Sequence, residues 1–252
     1  MRFRVVIPAR FGSTRLPGKP LLDIAGVPMI RHVWKRASAS GAEEVLIATD
    51  DKRVLSACES FGATAMMTSD SHVSGTDRIA EVAALSGWEE DELIVNVQGD
   101  EPLIPPENIR QVAELLHHRP SAEMATLCTG ICSLDEYLDT NVVKVVRAED
   151  GRALYFSRAP IPWHRDAAPS GLTSQSCYRD SLRHIGIYAY RVGALMRLSD
   201  SPQCPLEAAE ALEQLRAMWL GYTILADVAA EEPGPGVDTQ EGLEQVRSLM
   251  AP

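Results

Sequence analysis

Apolar residues along this chain fall into two rhythms. Short unbroken runs of aliphatic residues read as buried strands, and runs spaced three and four apart read as helices. Val5-Val6-Ile7 is the first strand. A helix is then predicted from Pro28 to about Ala39, with Met29, Ile30, Val33 and Trp34 on its apolar face. Glu44 to Thr49 is a second strand, Asp50-Asp51 caps the next helix, and Gly62 ends it. Thr64 to Met67 is a short third strand, and the polar loop 68–78 leads into a helix from about Asp77 to Leu85. Leu93 to Val97 is the clearest buried strand, followed by a helix from Pro106 to about His118 and a strand from Met124 to Ile131.

Beyond a helical turn at Leu134 to Asp139, Asn141–Arg147 and Ala153–Phe156 read as a hairpin around Asp150-Gly151. Arg183 to Tyr190 is a strand with His184, Tyr188 and Tyr190 on one parity and Arg183, Ile185 and Ile187 on the other. Pro205 to Trp219 reads as one amphipathic helix, Tyr222 to Val228 as the last strand, and Asp238 as the cap of a terminal helix reaching about Met250. Strand and helix alternating at this spacing predict an α/β fold with a mostly parallel central sheet flanked by helices. The 252 residues form a single domain, 1–252, in which 133–221 reads as an insertion and Asp166 to Ser176 as a mobile loop.

Charge narrows the partners. A formal net charge of −11 disfavours nucleic acid and suits a cytoplasmic protein. The start, Met1-Arg2-Phe3-Arg4, runs straight into a strand, so no signal peptide is expected. No apolar run approaches the roughly 20 residues of a membrane span. The five cysteines are scattered and read as reduced thiols.

Against that acidic background the loop leaving the first strand is cationic, with Arg10, Arg15 and Lys19 interleaved with Ser13, Thr14, Gly12 and Gly18. Cations neutralise oxyanions and glycines let backbone N–H groups approach them, so the loop reads as a phosphate cradle. It is not a Walker A loop, because five residues separate Gly12 from Gly18 and Lys19 is followed by Pro20, which has no hydroxyl. A dinucleotide fingerprint is absent too. The strand 93–97 ends in Gln98-Gly99-Asp100-Glu101-Pro102. Alone, Gly99-Asp100 is as readily a turn as a ligand. On the same sheet edge as the cationic loop, Asp100 reads as a carboxylate for Mg²⁺ on a polyphosphate.

Together these segments resemble a known family. Ile7-Pro8-Ala9-Arg10 with Ser13-Thr14-Arg15-Leu16-Pro17-Gly18-Lys19-Pro20-Leu21 is similar to the opening of the sugar nucleotidyltransferases that activate acidic sugars with CTP. Ser74-Gly75-Thr76-Asp77-Arg78, the 95–102 run, Tyr155 to Trp163, Arg183 to Tyr188, Leu212 to Arg216 and Gly236 to Thr239 narrow the resemblance to the 3-deoxy-manno-octulosonate (Kdo) cytidylyltransferases. It spans almost the whole chain in order.

The resemblance implies a nucleotide-diphospho-sugar transferase fold with a small inserted dimerisation subdomain, a homodimer, and Mg²⁺-dependent transfer of CMP from CTP to Kdo for lipopolysaccharide synthesis. Pro8, Ala9, Arg10, Ser13, Arg15, Lys19, Arg78 and Gln98 are then expected at the nucleotide, with Lys19, Arg10, Arg15 and Asp100 catalytic and Asp100 and Asp238 on the metal. Gln98, Arg158, His184, Tyr188, Glu213 and Gln214 are expected at the sugar. Without the resemblance, Asp238 reads as an N-cap, His184 as a core histidine and Glu213 as a solvated helix position. Gln240 and Gly242 depart from the family's usual Pro and Asp, and Arg165 to Arg179 matches poorly. The rival readings are a cytidylyltransferase for 8-amino-Kdo or a sialic acid, and a non-catalytic sugar-nucleotide sensor.

Overall fold

The computed structural model describes residues 1–12 and 16–251. In chain order its elements begin β1 (Arg4–Pro8), β2 (Asp23–Ile24), β3 (Val27–Pro28), α1 (Met29–Ser38), β4 (Glu44–Thr49), α2 (Lys52–Ser60), β5 (Thr64–Met67), α3 (Gly75–Ser86), β6 (Leu93–Asn96) and α4 (Pro106–His117). There follow β7 (Met124–Gly130), α5 (Leu134–Leu138), β8 (Lys144–Arg147), β9 (Ala153–Ser157), β10 (Leu182–Arg191), α6 (Val192–Ser199), α7 (Pro205–Glu210), α8 (Gln214–Trp219), β11 (Ile224–Val228) and α9 (Gln240–Leu249).

The main sheet runs β11-β7-β10-β6-β1-β4-β5, with β8 and β9 attached at β10. β1 is parallel to β4 and β6, β4 to β5, and β11 to β7. β10 is antiparallel to both neighbours. Alternation along β1 sends Val5 and Ile7 into the core that holds Ile30, Val33, Ile109 and Val112 of α1 and α4. Val6 goes to the opposite core, with residues of α3, α6 and α8. The same parity holds on β10, where Ile185 and Ile187 enter the first core and Tyr188 and Tyr190 the second.

A third, smaller core packs Leu16, Ile24 and Met29 against Val237, Leu243 and Val246. Each such fully buried side chain contributes about 1.5–3 kcal/mol. The C-terminal segment is thereby fastened over the first loop.

Three expectations change here. The segment 205–219 is two helices, not one, because Ala211 takes a left-handed turn with φ 50° and ψ 48°. Arg158 supplies donors to the carbonyls left at that break, with Nε to Glu210 O at 2.7 Å and Nη2 to Ala211 O at 3.4 Å. The cap of α9 is Thr239, whose side chain accepts from Gly242 N, and not Asp238. The span 133–221 contains a central strand of the main sheet, β10, and a helix, α6, that the apolar pattern did not announce. The stretch 166–176 carries two short 3-10 turns, Arg165–Ala167 and Leu172–Ser174.

Candidate active site

The first loop departs from the carboxyl end of β1, where Ala9 N donates to Ala48 O at 2.8 Å and Thr49 Oγ1 donates to Ala9 O at 2.7 Å. Gly18, at φ 69°, turns the chain back, and its missing Cβ leaves room for the Phe11 ring, which a methyl would meet at 3.1 Å. That turn delivers Lys19. Its ammonium donates to Asp100 Oδ2 at 2.5 Å and to Asp238 Oδ1 at 2.8 Å. The lysine side chain is 13% exposed and that of Asp238 60%, so water screens the contact with Asp238 more than the one with Asp100.

Two glycines close the walls. A Cβ on Gly99 would lie 2.7 Å from Pro8 O, and one on Gly75 would lie 3.3 Å from Pro8 Cγ. The loop after β6 can press on Pro8 only because Gly99 lacks a side chain, and Gly75 lets the head of α3 approach the Pro8 ring without a tight contact. Ser74 caps α3 by accepting from Asp77 N, and Ser74 and Gly75 at the head of that helix line the same space.

Arg78, one turn into α3, is buried and donates to Asp50 Oδ2 at 2.8 Å, Thr68 Oγ1 at 2.5 Å and Ser69 O at 3.3 Å. Asp50 Oδ1 in turn accepts from Phe11 N at 3.1 Å. One carboxylate at the end of β4 therefore ties the cationic loop to the head of α3.

These parts enclose a cleft of about 320 Å³ lined by Pro8, Ala9, Arg10, Lys19, Arg78, Gln98, Asp100 and Asp238, with His72 to Gly75 as the facing wall. The nucleotide and metal residues expected from sequence thus come together, save Ser13 and Arg15, which lie outside the described residues. Beside Asp100, the Glu101 carboxyl is pushed up to about 8 by burial, with the Asp100 and Asp238 charges adding to it.

The expected sugar residues are more dispersed. Gln98 lines the first cleft, and Glu213 lines a neighbouring, more open one of about 680 Å³ that shares the wall His72-Val73-Ser74. Burial raises the Glu213 carboxyl above its ordinary value, although Thr76 donates to it at 2.7 Å. His184 and Tyr188 lie side by side in the sheet, their ring centroids 5.2 Å apart. His184 Nε2 is 2.9 Å from Thr126 Oγ1, and desolvation lowers its pKa to about 3, so the ring is neutral. The Tyr188 hydroxyl is buried without a hydrogen-bond partner. Arg158 directs its guanidinium at the carbonyls of Glu210, Thr140 and Ala211, and Gln214 is buried at the start of α8.

A sequence profile described as cytidylyltransferase matches residues 4–224. The 3-deoxy-manno-octulosonate cytidylyltransferase of Hahella chejuensis is 54% identical over 249 residues, covering 99% of this chain and 98% of its own. The enzyme of the same name from Coxiella burnetii is 54% identical over 250 residues, covering 99% of this chain and all of its own. The chain belongs to the 3-deoxy-manno-octulosonate cytidylyltransferase family. A solved structure of CMP:2-keto-3-deoxy-manno-octonic acid synthetase complexed with CTP superposes with a TM-score of 0.89 at 47% identity, covering 100% of this chain and 99% of that one. A cytidylyltransferase from Leptospira borgpetersenii, at 19% identity and a TM-score of 0.63, shares the fold alone.

Within this cytidylyltransferase site, sequence reasoning missed Asp50, His72 and Arg216. Asp50 stands at the carboxyl end of a strand, the position that flags ligand-side residues in open α/β sheets, but its capping neighbour Asp51 masked the signal. His72 and Arg216 carry no local signature; only packing places them on the clefts.

Proposed function

We propose that this chain transfers CMP from CTP to the anomeric hydroxyl of Kdo and releases pyrophosphate. The observation that carries the reading is Lys19, held between Asp100 and Asp238 on the wall of a cleft that Arg10, Arg78 and the head of α3 make receptive to anions. In this reaction a bond forms between the sugar oxygen and the α-phosphorus. The bond from that phosphorus to the bridging oxygen breaks, and the hydroxyl proton leaves to solvent. Little covalent work falls to the protein; positioning and charge neutralisation carry the rate.

Lys19 neutralises the α-phosphate and the departing pyrophosphate. Arg10 adds charge at the cleft mouth, and Pro8 and Ala9 present backbone to the base. Arg78 acts by fixing the wall through Asp50. The unpaired Tyr188 hydroxyl and the neutral His184 ring suit sugar hydroxyls, which donate and accept at once. Arg158 and Gln214 shape that end from behind.

Two carboxylates converging on one ammonium also fit Mg²⁺, which takes one or two protein carboxylates and completes its shell with phosphate oxygens. Among the described residues no group of three or more His, Cys, Asp or Glu side chains is placed to hold a metal ion. Asp100 and Asp238 are the residues that would hold it, and the bound ion would supply Lewis-acid polarisation of the phosphorus.

The product's place is lipopolysaccharide synthesis in the cytoplasm, a compartment that suits five unpaired cysteines. No helix among the described residues is long and apolar enough to cross a membrane. Two copies pair through 133–221, where Trp163 is 44% and Leu172 56% exposed. Light scattering behind size exclusion that gives a monomer at micromolar concentration would refute the pairing.

Pyrophosphate release with CTP, Mg²⁺ and a panel of Kdo, 8-amino-Kdo and N-acetylneuraminate tests the reading. Release with Kdo that EDTA abolishes is the expected result. Release with another acid only would reassign the sugar, and CTP binding without turnover on any sugar would favour the sensor.

A further inference from the structure

Glu213 meets the second cleft at the first residue before α8, and the side chain that fixes it there comes from one turn later. Arg216 Nη2 donates to Glu213 Oε1 at 2.9 Å, while Thr76 Oγ1 donates to the other oxygen, Oε2, at 2.7 Å. Arg216 is itself held on two further sides. Its Nη1 donates to Ser201 O at 2.7 Å, and its Nε lies 3.2 Å from Glu207 Oε2. The arginine side chain is 9% exposed and the Glu213 side chain 31%, and both line the cleft, with the carboxylate the more open to it.

We propose that Arg216 is a positioning residue of the sugar subsite, acting through Glu213, which it holds in the orientation that receives the acceptor's hydroxyls. The inference rests on reading Glu213 as a sugar residue. A carboxylate accepts hydrogen bonds only, at about four lone-pair sites, and one stays open at Glu213 after Arg216, Thr76 and Ser74 have each taken one. These fixed donors leave the remaining lone pair for the cleft, and a polyol supplies the matching donor. A long flexible acid without these donors would sample several rotamers and lose that aim.

The charges around Glu213 give the device a pH signature. Burial and the Asp77 carboxylate raise its pKa, and Thr76, Arg216 and Ser74 lower it. Tyr188 and Tyr190 face it from β10, neutral through the working range because burial raises both hydroxyls. Glu207, on α7, is paired with Arg216 and not with Glu213. Arg216 is thus the cation that opposes burial and Asp77 at Glu213.

The test is steady-state kinetics of Arg216→Met and Arg216→Lys across pH, with each substrate varied in turn. Arg216→Met is expected to raise KM for Kdo about tenfold, the scale of one charge-assisted hydrogen bond, with KM for CTP within about twofold. The acid limb of kcat/KM for Kdo, which reports the free enzyme, moves to higher pH. Arg216→Lys, keeping the charge without the fork, restores part of both effects. Thr76→Val, a near-isosteric change that removes the other donor, moves the same limb in the same direction even if Arg216→Met folds poorly. In a Glu213→Gln background the Arg216 effect on the limb disappears. Equal rises in both KM values with an unmoved acid limb in Arg216→Met and Thr76→Val would overturn the inference. A wild-type chain silent on Kdo yet turning over another sugar would instead strike the choice of sugar, and the same limb is then read with that sugar.

Discussion

Lys19 and Asp238 stand 219 positions apart in sequence, and the lysine ammonium donates to the aspartate at 2.8 Å. Apolar packing makes that meeting possible, because Val237, Leu243 and Val246 share a core with Leu16, Ile24 and Met29 on either side of the lysine's loop. Capping falls to Thr239, so the adjacent Asp238 side chain turns to the cleft. The C-terminal segment thus forms part of the cleft wall, fastened by hydrophobic burial.

Replacing Asp100 with Asn separates its two jobs. Lys19 keeps Asp238 as a partner, and the cleft loses a negative charge, so affinity for CTP stays within a few-fold. Turnover falls on the order of 10²–10³-fold, the scale of removing one pre-positioned electrostatic group. Calorimetric CTP binding alongside pyrophosphate release checks this; undiminished turnover in Mg²⁺ would refute the metal assignment.

Gly99 and Gly75 differ in tolerance. A methyl on Gly99 meets a backbone oxygen at 2.7 Å, and one on Gly75 meets a proline ring carbon at 3.3 Å. Gly99→Ala forces the β1 and β6 loops apart and costs about 1–3 kcal/mol, with loss of nucleotide affinity. Gly75→Ala costs less. Paired thermal melts and CTP titrations should rank them in that order, and the reverse order would contradict the wall geometry.

The Asp50–Arg78 pair is a positioning contact with structural weight. Asp50→Ala leaves a guanidinium, 3% exposed in its side chain, without its carboxylate. Breaking such a pair costs about 3–5 kcal/mol. Urea unfolding should show a lower midpoint at unchanged slope. A midpoint equal to the parent's would mean that the pair is dispensable.

His184 sets an acid limit on stability. Its ring is shifted from the ordinary 6.5 to about 3 by desolvation, so the fold prefers it neutral. The unfolded chain takes up the proton first. The contribution is therefore complete above pH 6.5 and is lost as pH falls toward 3, at no more than about 1.4 kcal/mol per pH unit. His184→Gln should flatten the profile between pH 6.5 and 4 in urea midpoints. Parallel profiles for the two proteins would exclude the ring as the cause.

Strands carried their signal locally. Val5-Val6-Ile7, Glu44–Thr49 and Thr64–Met67 stand in the structure where uninterrupted apolar runs place them, and the parity of the β10 residues predicts which core each one enters. Lys19 was legible as part of a cationic loop at a strand exit, Asp100 only once that loop stood on the same sheet edge, and Arg78 only through the family resemblance.

The break at Ala211 was not legible. Ala, Leu and Glu around it favour helix, and the donors that stabilise the turn come from Arg158, some fifty residues away. Arg216 has the same cause: its role depends on Thr76, Glu207 and Glu213 meeting in space. Capping of α9 shifted by one residue for a reason that propensity scales omit, namely that Asp238 has a stronger partner in Lys19.

The most direct measurement mixes the purified chain with CTP, Kdo and Mg²⁺ and quantifies pyrophosphate and sugar nucleotide in the same sample. The account predicts CMP-Kdo and pyrophosphate in equal amounts, with neither formed when Lys19 is replaced by Met. CTP cleaved to free CMP without a sugar adduct, or no cleavage with Kdo present, would contradict it.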